Sequence, residues 1–343
     1  MEGVAADSQI YEYPLVAYTG MTTQEFAAKL NAWGSENKPF LFVADFELQS
    51  PFAIALDEID PAEICYFIDG ITNVPDARRT GTPAIIGAKP ISFDEYLTKF
   101  SVVYRHLHYG DSYLANLTAK TEVELSHSLR DLFDLSRARY KLWIRDKFLV
   151  FSPESFVQIE DGKIYSFPMK GTIDASVPDA RNRILADEKE LAEHVTIVDL
   201  IRNDLSLVAD NVKVERFRYI DEVPTTRGGL LQVSSAISGD LPADHRHTIG
   251  DILLKLLPAG SVSGAPKRKT VDVLREAENE ERGYYTGVFG YFDGSRLNSG
   301  VMIRFIEHAG GRYYYRSGGG ITAQSTAQSE YQEMINKIYV PVD

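Results

Sequence analysis

Short apolar runs closed by tight turns constrain this chain more than any other feature. Phe40-Leu-Phe-Val-Ala-Asp45 and Ile64-Cys-Tyr-Phe-Ile68 are too short for helices and are rich in aromatic and β-branched residues, the pattern of strands. Glu160-Asp-Gly162 and Phe292-Asp-Gly294 place Asp-Gly after such runs. That dipeptide signals a hairpin, because its turn positions need positive φ. Further strands are predicted at 141–151, 155–160, 163–167, 284–292, 299–307 and 312–317. Helical spacing predicts helices at 93–104, 121–138, 188–208, 248–257, 266–279 and 326–340. Strands cluster together instead of alternating with helices. This predicts antiparallel sheets with helices packed outside, an α+β arrangement. Residues 1–95 read as a strand-rich region integrated into the same fold, with Pro75 to Pro90 as a connection, and residues 96–343 as the main body.

Composition narrows the function classes. The 343 residues include 49 acidic and 36 basic ones, a formal charge of 36 − 49 = −13. A nucleic-acid backbone as partner is disfavoured, since phosphate binding needs clustered Lys and Arg. A single cysteine excludes a disulfide framework and a cysteine-built zinc site. Cys65 lies inside an apolar strand and reads as a buried structural thiol. Apolar runs fall well short of the ~18 residues of a membrane span. The start, Met-Glu-Gly-Val-Ala-Ala-Asp, lacks the basic and apolar regions of a signal peptide. A cytoplasmic protein is expected.

Two helices carry paired carboxylates. Glu330, Glu333 and Lys337 fall at i, i+3 and i+7 after a Ser325…Gln328 capping-box pattern. Glu190 and Glu193 repeat the spacing at 188–208. If these helices face each other, four carboxylates could hold Mg²⁺, a hard ion that prefers oxygen. The alternative is two solvated helix faces. His194, beside Val195, Ile197 and Val198, reads as a packed or hydrogen-bonded histidine. Arg316-Ser-Gly-Gly-Gly-Ile-Thr322 reads either as backbone N–H groups converging on an anion or as a strand-to-helix turn. Pro258-Ala-Gly-Ser-Val-Ser-Gly-Ala-Pro-Lys267 is a second small-residue loop, with the spacing of neither a Walker A loop nor a dinucleotide fingerprint. Pro168-Met-Lys-Gly-Thr172 sets Lys170 in a tight segment that also reads as a surface turn.

Taken in order, these segments resemble the chorismate-utilising enzymes. The resemblance covers residues 104–341. It is carried by Gly110-Asp-Ser-Tyr-Leu-Ala-Asn-Leu117, Ser152-Pro-Glu154, Pro168-Met-Lys-Gly-Thr172 and Glu193-His. It continues through Val198-Asp-Leu-Ile-Arg-Asn-Asp204, Gly260-Ser-Val-Ser-Gly-Ala-Pro-Lys267 and Arg282-Gly-Tyr-Tyr-Thr-Gly287. Ile303-Arg304, Gly318-Gly-Gly320 and Glu330-Tyr-Gln-Glu-Met-Ile-Asn-Lys337 complete it. Within the family the chain looks most like the aminodeoxychorismate synthase branch, with anthranilate synthase large subunits as the alternative. A catalytically silent binding module is the alternative from outside the enzymes.

The resemblance implies large antiparallel sheets packed as a sandwich. It implies Mg²⁺ held by Glu193 and Glu333, with Glu190 and Glu330 beside or behind them. Gly318, Gly319 and Gly320 would donate N–H groups to the ring carboxylate of chorismate. Tyr285 and Arg304 would take the enolpyruvyl carboxylate, with Ser261 and Lys337 as further substrate contacts. Glu154 would be the general acid, and Lys170 a nucleophile where anthranilate synthases carry alanine. The implied reaction aminates chorismate to 4-amino-4-deoxychorismate, on the p-aminobenzoate branch of folate synthesis. Leu114 stands where isochorismate and salicylate enzymes carry the lysine that activates water, and Gln232 where many relatives carry histidine. Because Cys65 does not read as a glutaminase nucleophile, ammonia would come from a glutamine amidotransferase partner.

Overall fold

The computed structural model describes residues 20–75, 84–225 and 228–341. Strand Phe40–Ala44 shows how the chain is layered, since all five residues are buried. Alternate side chains of a strand point to opposite faces. Leu41 and Val43 pack with Ile64, Tyr66, Leu142 and Phe148. Phe40, Phe42 and Ala44 pack with Phe26, Leu30, Ile197 and Leu253. One face therefore meets a second sheet and the other meets helices, which is why the run is apolar at every position.

Among the described residues two nine-stranded sheets are formed, paired antiparallel. The first runs Met169–Asp174, Gly228–Asp240, Lys163–Ser166, Ser155–Glu160, Leu297–Val301, Val288–Phe292, Phe40–Ala44, Phe52–Ala55, with Asp210–Thr225 also beside Gly228–Asp240. The second runs Gly264–Ala265, Leu114–Leu125, Arg312–Ile321, Phe305–Ala309, Phe148–Ser152, Tyr140–Ile144, Ile64–Ile68, Ile71–Thr72, with Ile85–Lys89 also beside Leu114–Leu125. Helices Thr23–Ser35, Glu188–Leu205 and Ile249–Leu256 cover the outer face of the first sheet. Phe93–Tyr109, Lys267–Glu278 and Ala327–Asn336 cover part of the second, and Leu129–Leu135 another part. The sandwich of antiparallel sheets with outer helices is as expected. The region before residue 95 supplies strands to both sheets, as in Phe40↔Phe292 and Ile64↔Ile144.

Several expectations are corrected. The helix expected at 121–138 is the end of strand Leu114–Leu125, a break at Ser126-His127, and a short helix capped by Ser128, whose hydroxyl accepts from the Asp131 N–H at 3.1 Å. The run 141–151 is a hairpin, Tyr140–Ile144 and Phe148–Ser152, turning at Asp146 with φ 55°. The run 299–307 is two strands in different sheets, Leu297–Val301 and Phe305–Ala309. In the connection expected between Pro75 and Pro90, residues 76–83 lie outside those described, and Ile85–Lys89 is a strand. The start of the chain likewise lies outside the described residues. Among the described residues no helix is long and apolar enough to cross a membrane.

Candidate active site

The chain changes sheets twice at one place, and the cavity opens there. Pro153 and Glu154 link Phe148–Ser152 of the second sheet to Ser155–Glu160 of the first. Met302, Ile303 and Arg304 make the return crossing. The crossings are tied together: Val301 N–H donates to the Glu154 carbonyl at 3.0 Å, and Phe151 N–H to the Arg304 carbonyl at 3.1 Å. Arg304 holds a left-handed φ of 51°, unusual for a non-glycine residue and common where a fold bends to aim a side chain.

The cavity has a volume of about 320 Å³. Lys170, Glu154, Tyr285, Arg304, Ser261, Gly318, Gly319, Gly320, Lys337, Glu190, Glu193 and Glu333 all line it. Glu330 does not. It is 3% exposed behind the wall, and its Oε1 accepts from Ser325 Oγ at 2.7 Å. The capping-box reading of Ser325 is thereby corrected, since its hydroxyl donates to Glu330 and accepts from the Thr322 N–H at 3.1 Å. The helix starts at Ala327 after Thr326, whose side chain makes no capping bond.

Lys170 does not sit in a surface turn. It belongs to strand Met169–Asp174, where the register with Gly228–Asp240 shifts between Met169 and Thr172. Such a bulge re-aims a side chain. Gly171 holds φ +84°, and a Cβ there would stand 3.3 Å from Glu190 Oε2. Lys170 Nζ lies 3.9 Å from Glu193 Oε2.

The three glycines form neither a converging loop nor a turn. They continue strand Arg312–Ile321, Gly318 opposite Thr118, Gly319 opposite Leu117 and Gly320 opposite Asn116. On its other side this strand pairs with Phe305–Ala309 only as far as Phe305↔Arg316. A Cβ at Gly319 would stand 3.2 Å from Glu333 Oε1 and 3.5 Å from Glu330 Oε2; one at Gly320 would stand 3.7 Å from Glu193 Oε2 and 3.8 Å from Lys170 Nζ. The missing side chains let charged groups close on the backbone. Lys337 Nζ donates to the Gly318 carbonyl at 2.8 Å and to Glu333 Oε1 at 2.7 Å.

Glu154 accepts a hydrogen bond from Ser261 Oγ. Burial holds its carboxyl above the usual carboxylate range, against the opposing pull of Ser261, Lys170, Arg304 and Lys337. Burial likewise pushes the Tyr285 phenol up to about 12. The Arg304 guanidinium lies 5.1 Å from the Tyr339 ring centre. Four cations (Lys170, Arg304, Arg316, Lys337) and four carboxylates (Glu154, Glu190, Glu193, Glu333) line the cavity, 4 − 4 = 0 in formal charge. The local field is thus far less negative than a −13 chain would suggest.

Arg316 escaped the sequence reading as a wall residue. It is 4% exposed, lines the cavity, and pairs with Glu307 at 3.2 Å. An arginine one residue ahead of Ser-Gly-Gly-Gly was the available signal. Gln232 also lines the cavity, and Leu114 Cδ1 would stand 3.1 Å from a Cβ at Gly320. His194 is packed as expected: 1% exposed, with Nε2 bonded to Ser235 Oγ at 2.7 Å. Cys65 is wholly buried and donates to the Pro61 carbonyl at 3.0 Å.

Among the described residues no three His, Cys, Asp or Glu side chains group closely enough to hold a metal ion. Lysines compensate the cavity carboxylates instead, Lys337 at Glu333 and Lys170 near Glu193. The donor set still suits a hard cation. It is all oxygen, it comes from two helices, and the glycine strand gives those oxygens the room a Cβ would fill.

The chain belongs to the chorismate binding enzyme family, whose sequence profile matches residues 23–343. An uncharacterized PabA-like protein of Haemophilus influenzae is 47% identical over 322 residues, 94% of this chain and 98% of that protein. Aminodeoxychorismate synthase component 1 of Klebsiella aerogenes is 34% identical over 264 residues, 72% of this chain and 57% of that protein. Among solved structures, anthranilate synthase component I of Streptococcus pneumoniae superposes with a TM-score of 0.64 at 28% identity, covering 75% of this chain and 59% of that one.

Proposed function

We propose that this enzyme aminates chorismate to 4-amino-4-deoxychorismate, with Lys170 as covalent nucleophile and Glu154 as general acid. One observation carries the reading: a lysine and a carboxyl group held above its usual range face the same cavity. Hydroxide is a poor leaving group, so the substrate's 4-hydroxyl needs a proton as it departs. The Lys170 amine adds at ring C2, both ring double bonds shift (C1=C2 to C1=C6 and C5=C6 to C4=C5), and the C4–O bond breaks. The hydroxyl leaves as water with the proton of Glu154. Ammonia then adds at C4, both double bonds shift back, and the C2–N bond to Lys170 breaks. The incoming nitrogen loses one proton to the Glu154 carboxylate, which restores the acid. Two displacements replace one difficult one, and the enolpyruvyl group is retained.

In this reading Arg304 and Tyr285 hold the enolpyruvyl carboxylate, and an arginine fork suits bidentate capture. Ser261 orients Glu154. The Gly318–Gly320 backbone and Lys337 face the ring carboxylate. Glu193 and Glu333 would hold Mg²⁺, with Glu190 beside them and Glu330 behind; when bound, the ion supplies positive charge to the ring carboxylate. Ammonia comes from a glutamine amidotransferase subunit. The "component 1" in the name of the Klebsiella relative and the buried state of Cys65 support a separate second chain. The reading places the enzyme in the cytoplasm.

Chorismate, Mg²⁺ and an ammonium salt, with product separation, test this. The expected product is aminodeoxychorismate, giving p-aminobenzoate only after a lyase is added. Fluorescent anthranilate without a lyase would instead make the protein an anthranilate synthase. Unconsumed chorismate would leave a binding module.

A further inference from the structure

Among the described residues, strand Leu114–Leu125 has an outer edge paired at both ends and not in the middle. Gly264–Ala265 takes Leu114 and Ala115, and Ile85–Lys89 takes the stretch from Glu122 to Leu125. Between them, among the described residues, the strand presents backbone groups with no ladder partner, which burial makes costly. A buried ion pair stands in the gap. Arg282 and Glu278 are 1% and 3% exposed. Arg282 Nη2 donates to the Asn116 carbonyl at 2.5 Å. Glu278 Oε1 accepts from the Thr118 N–H at 2.8 Å and from Thr118 Oγ1 at 2.9 Å. Guanidinium and carboxylate join through two bonds of 2.6 and 2.8 Å.

The same guanidinium reaches two other segments. Nη1 donates to the Val262 carbonyl at 2.9 Å and to Thr286 Oγ1 at 3.3 Å. Its own backbone is pinned by Glu47, which accepts from the N–H groups of Arg282 and Gly283 at 3.0 and 2.9 Å. The guanidinium's hydrogen bonds to Asn116, Val262 and Thr286 end on or next to the cavity wall. Asn116 and Val262 line the cavity. Ser261, which bonds Glu154, precedes Val262, and Tyr285 precedes Thr286. Asn116 and Thr118 face Gly320 and Gly318.

Register completes the picture. In an antiparallel strand the N–H and C=O of one residue point the same way, and neighbours alternate. Asn116 and Thr118 spend their backbone groups on the ion pair, so Leu117 is the residue whose groups turn toward Gly319. Gly318 and Gly320 then turn theirs away from this strand, toward the cavity. The Gly318 carbonyl accepting from Lys337 agrees.

We propose that the Arg282–Glu278 pair is a positioning device: a side-chain ladder in place of a missing strand. It fixes the glycine strand, the Ser261–Glu154 contact and Tyr285 in one register. Stability alone explains such a pair poorly, because well-packed apolar residues of similar volume often replace one without loss. What they cannot supply is directed bonds to three separate segments, at Asn116 and Thr118, at Val262 and at Thr286. The proposal rests on the reading of this cavity as the chorismate site.

The test compares the native chain with the double variant Arg282→Met/Glu278→Leu and with Arg282→Lys. The double variant removes both charges, so no orphan charge is buried. Its melting midpoint is expected to fall, because the Asn116 and Val262 carbonyls and the Thr118 N–H lose their partners, while the chain stays folded at 25 °C. Its chorismate affinity by calorimetry should fall, and kcat/KM should drop on the order of 10²-fold, as for a misplaced catalytic group. Amide exchange at 317–320 should accelerate by about tenfold or more while the 155–166 hairpin keeps native protection. Native exchange at 317–320 in the double variant overturns the proposal, as does native kcat/KM. If the double variant does not fold, Arg282→Lys decides. A point charge lacks the guanidinium fork, so faster exchange at 317–320 and a raised KM support the proposal, and native values of both overturn it. A native protein that neither binds nor consumes chorismate sinks the chorismate reading instead. The exchange result still judges the ladder.

Discussion

The two sheets meet very differently at their two ends. Around Leu41, Val43, Tyr140, Leu142 and Phe148 they press together through buried apolar side chains. At the crossings of Glu154 and Arg304 they part, and the gap is lined by eight charged side chains. The first end gains from each buried methylene. The second carries groups that burial penalises unless they are paired or hydrogen-bonded, and it uses a left-handed arginine, a bulge and three strand glycines to bring them together. The difference teaches that one architecture is anchored at one end so that it can tolerate unfavourable placements at the other.

Substitutions can break this contrast. At the cavity end, Glu154→Gln is expected to lower turnover by about 10²–10⁴-fold, with the melting midpoint near native; steady-state rates and calorimetry check both. The pH profile sharpens the assignment. The acid must be protonated, and burial raises its pKa, so turnover should fall as pH climbs through that raised value. In Glu154→Gln that limb should vanish.

At the anchored end the pattern should invert. Phe148, 2% exposed, should cost about 3–5 kcal/mol of unfolding free energy when changed to Ala, measured by urea titration. The fraction still folded should turn over at the native rate. Gly318→Ala straddles the two classes. A Cβ there would meet the Leu117 carbonyl oxygen at 2.3 Å, so the backbone must shift, costing about 1–3 kcal/mol together with a raised KM. Ile86 is 66% exposed on strand Ile85–Lys89 and does not line the cavity. Ile86→Thr should stay within about 0.5 kcal/mol of native, with unchanged kinetics.

The same contrast governs what the sequence disclosed. Strand Phe40–Ala44 was legible because burial on both faces demands an apolar residue at every position. Helix Glu188–Leu205 was legible from spacing, and Asp187 caps it by accepting from the Glu190 N–H at 2.9 Å. Strand Leu114–Leu125 was misread as helical over 121–138 although Glu122 and Glu124 alternate with Thr121, Val123 and Leu125, because the segment runs on into the helix formers of Leu129–Leu135. Its long pairing with the glycine strand overrides that propensity. The glycines themselves carry weak strand propensity, and their place is decided by charges arriving from distant helices. Arg316 and the role of the Arg282–Glu278 pair were missed for a related reason. Glu278 and Arg282 are spaced i, i+4, but the groups they hold at Asn116, Thr118 and Val262, like the Glu307 partner of Arg316, lie in other segments.

The central claim is that Lys170 attacks the substrate. Protein quenched with acid during turnover on chorismate, Mg²⁺ and ammonium can be digested and its peptides weighed. The account predicts a substrate-derived mass on the peptide containing Lys170, absent from Lys170→Ala, whose turnover is sharply reduced. A Lys170→Ala protein that forms product at the native rate would contradict it.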